Sequence, residues 1–438
     1  MQTKAKNSDG THYDVIVVGG GPAGMMAAGR AAELGARVAL IEKNDKLGKK
    51  LLITGGGRCN ITNAEFDVHK MVAKYGKKGK ALFGSFSRFG VEDTISFFEA
   101  RGLGIKVEAE QRAFPKSNKA QDVWKALVEY LKSSGVEVIS NSPVKKVLFE
   151  QIDTDNGDYT GKITGIVAST VGKKKVQTTY TATNYIIATG GRSRPETGST
   201  GEGFEWMTSL GHSVEETDAA LVPVKIKEDW VKKLSGLSFA NAKLIVIQEG
   251  TKQDSRVGKM LFTHFGISGP LVLNMSKNIT ELFKYAPVSL ELDLYPDLDL
   301  VALDKKMLTD LSGGLNKQIK NNLGGLVPPK MIPAILELTK INPETEGNSL
   351  TKEQRRKIVT LVKALPMTVD GLLGVEKAVV TSGGVSLKEI DFKTMQSKLY
   401  DNLYLAGDIL NFDRPSGGFS LQICWTTGYL AGENSAKK

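Results

Sequence analysis

The chain has 438 residues, 41% of them hydrophobic and 24% charged, with a formal net charge of +10. That balance excludes a disordered or fibrous chain, no uncharged apolar run approaches the ~20 residues that span a bilayer, and the length suggests about two or three domains. Two cysteines, Cys59 and Cys424, cannot frame a disulfide-rich fold; they fit a reducing compartment, the cytoplasm, and with scattered histidines offer no zinc-ligand spacing.

Met1–Thr11 is polar, lacks the apolar core of a signal peptide and reads as a loose tail. Tyr13–Val18 is a short β-branched run, and Gly19-Gly20-Gly21-Pro22-Ala23-Gly24 follows it. Pro22 is pre-set for a first helical turn, the helix runs to Leu34, Gly35 stops it, and Arg37–Glu42 is a second strand. This is a βαβ unit carrying G-x-G-x-x-G. Gly19 permits the tight turn, Gly21 lets a pyrophosphate approach the backbone, and Gly24 lets helix and strand pack closely. The helix N-terminus offers free N–H groups and partial positive charge to phosphates. Glu42 ends the second strand, where its carboxylate can accept both hydroxyls of an adenosine ribose and repel a 2′-phosphate. FAD or NAD is therefore expected over NADP.

From Lys43 to Arg88 there are 11 Lys/Arg against 3 Asp/Glu. Such an excess either attracts an anionic cofactor, substrate or nucleic acid, or is a solvated face. No aromatic-interleaved basic motif is visible, so nucleic acid is not the expected partner; a small molecule is. Arg112, Phe114 and Ser117 precede a helix, Asn118–Ser134, and a strand, Val136–Ile139. An antiparallel meander spans Val144–Thr189, with turns at Asn156-Gly157 and Gly172-Lys173, and closes on the buried strand Tyr185–Thr189. Leu221–Val257 alternates like strands. Val301–Leu365 reads as helices broken by Pro328-Pro329, Pro333 and Pro343. Strands return near Ala378–Thr381 and Leu403–Ala406, then a helix over Ser420–Asn434. Trp206, Trp230 and Trp425 read as packing residues.

The expected layout is α/β, a nucleotide-binding domain (12–191 and 376–438) split by an insertion, with 1–11 as the tail. Two segments favour FAD over NAD. Ile186–Gly191 is a buried strand ending in small residues, among them Thr189, Gly190 and Gly191. Leu403–Asp408 is a strand whose end, Gly407-Asp408, presents a carboxylate suited to ribityl hydroxyls; Gly417-Gly418-Phe419-Ser420 then opens a helix whose positive end suits a reduced flavin.

Three blocks, Gly48–Asn63 (GKKLLITGGGRCNITN), Leu261–Asn274 (LFTHFGISGPLVLN) and Thr381–Gly432, resemble the bacterial flavoprotein family that contains aminoacetone oxidases and a 3-dehydro-bile acid reductase. The resemblance runs from Tyr13 over nearly the whole chain, and it implies a split Rossmann-like FAD-binding domain with an inserted β-rich, barrel-like substrate domain (192–300 and 366–375) that carries a small helical subdomain (301–365). It implies non-covalent FAD held by Gly19, Gly21, Pro22, Ala23, Gly24, Glu42 and Lys43; by a strip at Gly57, Arg58, Cys59 and Asn60; by Val144, Thr189, Gly190 and Gly191; and by Gly407, Asp408, Gly418, Phe419, Ser420, Leu421 and Gln422. The stretch Asn411–Pro415 departs from the acidic, glycine-containing sequence expected there.

Flavin carries the redox chemistry. A dithiol mechanism requires Cys59 to meet Cys424, because no nearby cysteine follows Cys59. His264, in the glycine-flanked segment Thr263–Pro270, is the candidate proton donor or base, with a structural histidine as the alternative. Gly266-Ile267-Ser268-Gly269-Pro270 lacks the last glycine of a nucleophile elbow, which removes a hydrolase. Only one full dinucleotide fingerprint exists, since Gly198–Gly203 runs in the reverse sense, so NAD(P)H is expected to bind transiently. The expected activity is NAD(P)H-linked reduction of a conjugated C=C bond; the alternatives are aminoacetone oxidation by oxygen and flavin-dependent RNA modification or binding.

Overall fold

The apolar run at Tyr13 becomes the central strand of a parallel sheet. In the computed structural model the described residues are 12–437 without 154–158, 171–175, 315, 375, 377 and 379. The tail Met1–Thr11 and the turns expected at Asn156-Gly157 and Gly172-Lys173 lie outside them. Strand β1 (His12–Val18) leads through helix α1 (Pro22–Glu33) to β2 (Val38–Ile41). Helix α2 (Ala120–Ser133) precedes β3 (Glu137–Ile139), and β4 (Val144–Asp153), β5 (Tyr159–Ser169) and β6 (Gln177–Ile187) form the meander. β6 is longer than the expected Tyr185–Thr189. Its first residues pair antiparallel with β5, and from Thr181 it runs parallel to β1. Thr, Tyr and Ile dominate Gln177–Ile187 and let one strand serve both partners.

Contacts divide the chain into two units, Met1–Ala219 with Val379–Lys438, and Ala220–Ala378. The inserted unit begins at Ala220, whereas the sequence placed its start at residue 192. Residues 192–219 join the first unit because the helix Glu202–Ser209 commits Phe204 and Met207 to that unit's core.

In the second unit β7 (Val224–Ile226), β8 (Ser238–Gln248), β9 (Thr251–Thr263), β10 (Gly266–Ser268), β11 (Val288–Asp293) and β12 (Leu365–Leu372) close an antiparallel barrel in the order β7-β10-β9-β8-β11-β12. Closure leaves no exposed sheet edge. Its core, with Leu244, Val246, Phe262 and Leu290, is continuous with apolar residues of the helices Leu300–Ser312, Ile332–Thr339 and Lys352–Lys363. The helical segment is thus not a separate core. Pro333 breaks no helix; it occupies the first turn of Ile332–Thr339, where its missing N–H costs nothing.

The chain then returns to the first unit with β13 (Leu403–Leu405) and helix α3 (Phe419–Ser435). The parallel strands lie in the order β13-β6-β1-β2-β3. Helix α3 packs on α1 through two glycines: a Cβ on Gly428 would fall 2.5 Å from the Ala23 carbonyl oxygen, and one on Gly432 would fall 2.3 Å from that of Ala27. Trp425 is fully buried as expected, and its indole N–H donates to the Ile61 carbonyl.

Candidate active site

Four parallel strands deliver their carboxyl ends to one edge of the sheet: β1 runs into Gly19, β2 into Glu42, β6 into Thr189 and β13 into Asp408. Ligands of open α/β sheets bind at such an edge. A cleft of about 1190 Å³, counting its open mouth, lies there. Of the residues expected to hold the cofactor, Gly19, Gly21, Pro22, Ala23, Glu42, Lys43, Val144, Thr189, Gly190, Asp408, Ser420 and Leu421 line it.

The glycine turn works by close approach. A Cβ on Gly24 would lie 1.9 Å from the Gly19 carbonyl oxygen, so only glycine lets α1 start against the strand end. Gly21 has open space where its Cβ would be. The first N–H groups of α1 therefore face the cleft with no intrahelical acceptor.

Glu42 departs from the expected double ribose contact. Its Oε2 accepts the Gly20 N–H at 2.7 Å, and its Oε1 accepts the Asn44 backbone and side-chain N–H groups at 2.8 Å each. A carboxylate has about four acceptor positions, so little more than one is left for a hydroxyl. Lys43 is likewise committed, donating to Thr200 at 2.6 Å and pairing with Glu202 at 2.7 Å, which holds the Gly198–Glu202 rim in place. Asp408 is gripped at one oxygen by Arg414, 2.5 Å away and wholly buried; this is where the departure at Asn411–Pro415 acts. Its other oxygen is left for a ligand.

Gly57, Arg58, Cys59 and Asn60 do not line the cleft. Arg58 turns to Asn118 and Glu108 and lies over the Phe114 ring, because a carboxylate and an aromatic face satisfy its guanidinium there. Cys59 is fully buried, and burial pushes its thiol up to about 12. Burial also drives the Cys424 thiol upward, and both cysteines are free, which disfavours the reactive thiolate a dithiol route needs. Gly24, Gly191, Gly407, Gly418 and Phe419 back the cleft without lining it. Gln422 is fully buried and its amide is spent on Thr62, Gly90, Thr94 and Thr426.

Sequence reasoning missed several lining residues: Lys50, Thr54, Trp206, Cys424 and the rim Thr197–Glu202. Trp206, read as a packing residue, helps wall the cleft. The glycines of the rim were the one available signal. His264 sits exposed in the turn between β9 and β10, its ring against Phe265 at 4.9 Å.

The site fits FAD on its own chemistry. The α1 N-terminus suits a diphosphate. Thr189 Oγ1 is buried in the wall without a hydrogen-bond partner. Asp408 and the first turn of α3, at Ser420 and Leu421, would face the ribityl chain and ring. Among the described residues no cluster suited to a metal ion occurs, and no helix is long and apolar enough to cross a membrane.

The family model described as "HI0933-like protein Rossmann domain" matches residues 13–434. The chain belongs to this family. As an HI0933-like protein it is an FAD-dependent oxidoreductase. It is 29% identical over 425 residues to the 3-dehydro-bile acid delta(4,6)-reductase of Clostridium scindens, covering 96% of this chain and 98% of that protein. It is 26% identical over 423 residues to the ribosomal RNA dihydrouridine synthase of Escherichia coli, covering 96% and 98%. Among solved structures, the 3-ketosteroid delta1-dehydrogenase of Sterolibacterium denitrificans shares the fold, with a TM-score of 0.55 at 15% identity over 97% of this chain and 99% of that one.

Proposed function

We propose that this HI0933-like protein reduces a carbon–carbon double bond conjugated to a carbonyl in a small organic substrate, with NAD(P)H as transient reductant. The observation that carries the reading is the end-to-end relationship to the bile acid delta(4,6)-reductase. Bound FAD supplies the hydride chemistry. The chain's part is to hold the cofactor along the strand ends and to deliver a proton to the carbon beside the carbonyl. The exposed His264 is the proposed donor. The nicotinamide has no fingerprint of its own, so it binds only while it reacts. Anaerobic mixing with NADH or NADPH should bleach the flavin band, and a 4,6-dien-3-one should restore it. A flavin that neither nicotinamide bleaches overturns the reading.

A second reading, in which the unsaturated ring is a uracil of RNA, draws on the dihydrouridine synthases and on one surface. Phe66 and Phe83 are 59% and 42% exposed, and His69 lies against Phe83 at 4.9 Å. Lys70, Lys74, Lys77 and Lys80 are exposed on the same run. Exposed rings among lysines suit unpaired bases and their phosphates. Ribosomal RNA transcript should then bind with an affinity that falls steeply with salt; no binding at low salt removes this reading.

A further inference from the structure

We propose that Lys50 is the cation that neutralises the diphosphate of the bound dinucleotide. The argument begins with the backbone. Gly48 donates its N–H to the Gly20 carbonyl at 2.8 Å, which pins the short helix Lys49–Ile53 against the glycine turn. The two adjacent lysines then part. Lys49 pairs with Asp45 at 2.7 Å, whereas Lys50 donates to the Ser193 hydroxyl at 3.1 Å.

Elimination sharpens the assignment. The lysines lining the cleft are Lys43, Lys49 and Lys50. Lys43 is paired with Glu202 and Lys49 with Asp45. Among the described residues Lys50 alone of the three has no carboxylate within ion-pair reach. The carboxylates that act on it from farther away are Asp408, already held by Arg414, and Glu196. Burial pushes its ammonium down from the ordinary lysine range. A half-buried ammonium with no carboxylate partner, set in the wall of a ligand cleft, suits an anionic ligand.

The glycine turn identifies that anion. Helix α1 has no acidic residue in its first turn, and its N-terminus contributes only about half a positive charge. A diphosphate carries more negative charge than that. Lys50 lines the cleft from the helix docked on the same turn, and Ala23 at the start of α1 lines that cleft too. The inference concerns cofactor binding and does not rest on the reaction proposed above.

The test uses the full chain, wild type and the variants Lys50→Met and Lys50→Arg. FAD affinity is read from flavin fluorescence on dilution and by competition with ADP and with adenosine. Lys50→Met should weaken FAD and ADP by about tenfold or more, the loss expected for a charge-assisted contact, while adenosine binding is unchanged. Lys50→Arg should stay within about threefold of wild type. The flavin-free Lys50→Met chain should melt no lower than flavin-free wild type, a result a merely structural lysine would not give. FAD affinity of Lys50→Met within twofold of wild type overturns the proposal. So does an equal loss for adenosine and ADP. Should Lys50→Met fail to fold, wild type alone decides: equal competition by ADP and adenosine overturns the proposal, and a clear ADP preference together with near-normal FAD affinity in Lys50→Arg supports it.

Discussion

Glu42 and Lys50 face one cleft with opposite charges, and their partners separate their roles. Glu42 takes backbone N–H groups from Gly20 on one oxygen and Asn44 on the other. Glu42→Gln would set an NH2 against one of these donors whichever way the amide is turned. The flavin-free protein should lose about 1–3 kcal/mol, read by thermal denaturation, and FAD should bind more weakly. An unchanged melting temperature would mean the carboxylate is not bracing the turn. For His264, replacement by Ala should lower turnover of an enone by about 10²–10⁴-fold, with FAD affinity unchanged. A rate within threefold of wild type removes it as proton donor. Legibility differs at this scale. Gly19, Gly21 and Gly24 were readable because their task is local. Lys49 and Lys50 look alike in sequence, and only in the structure does Lys49 pair with Asp45 while Lys50 turns to Ser193. Arg58 was misplaced because its partners, Glu108 and Asn118, come from distant segments.

Helices and strands show the same division. The βαβ unit was legible from strand, glycine turn and helix in sequence, whereas the length of β6 was not, since its first residues pair with β5 and only those from Thr181 with β1. Helix α3 meets α1 across Gly428 and Gly432. Gly428→Leu should destabilise the chain by about 1–3 kcal/mol through overpacking and lower FAD occupancy, since both helices start at the cleft; absorbance of the purified protein and a denaturant titration report both. A third feature links elements far apart in sequence. Buried His212 bonds Glu389 at 2.8 Å and Ser397 at 3.0 Å. The trio resembles a hydrolytic triad, but the Ser397 oxygen already accepts the N–H groups of Leu399 and Tyr400 and is buried. Burial holds the imidazole below its ordinary range, so the unfolded chain takes up the proton first. Glu389 also sits low, since hydrogen bonds from Ser213 and His212 outweigh the opposing effect of burial. Both contributions to stability are whole near neutrality and fade toward acid. His212→Gln should flatten the stability loss between about pH 7 and 5; an unchanged slope in denaturant titrations would exclude the histidine as its source.

At the level of the whole molecule, the α/β class was legible from alternation and turn residues and the β-rich insertion from the family resemblance, while the first boundary was missed because helix Glu202–Ser209 is assigned by what it packs against, not by its composition. FAD bound at 100 times its dissociation constant should raise the stability of the first unit by about 2.7 kcal/mol. Calorimetry with and without FAD checks this, and an unshifted transition denies the cofactor a home there. The cleft joins residues translated near the beginning of synthesis, at Gly19 and Glu42, to others made only after the entire barrel, at Asp408 and Leu421. A ribosome-bound chain halted before Asp408 therefore owns half a berth. Prosthetic-group capture belongs to the finished polypeptide, and cells short of riboflavin should accumulate completed but colourless chains rather than stalled ones.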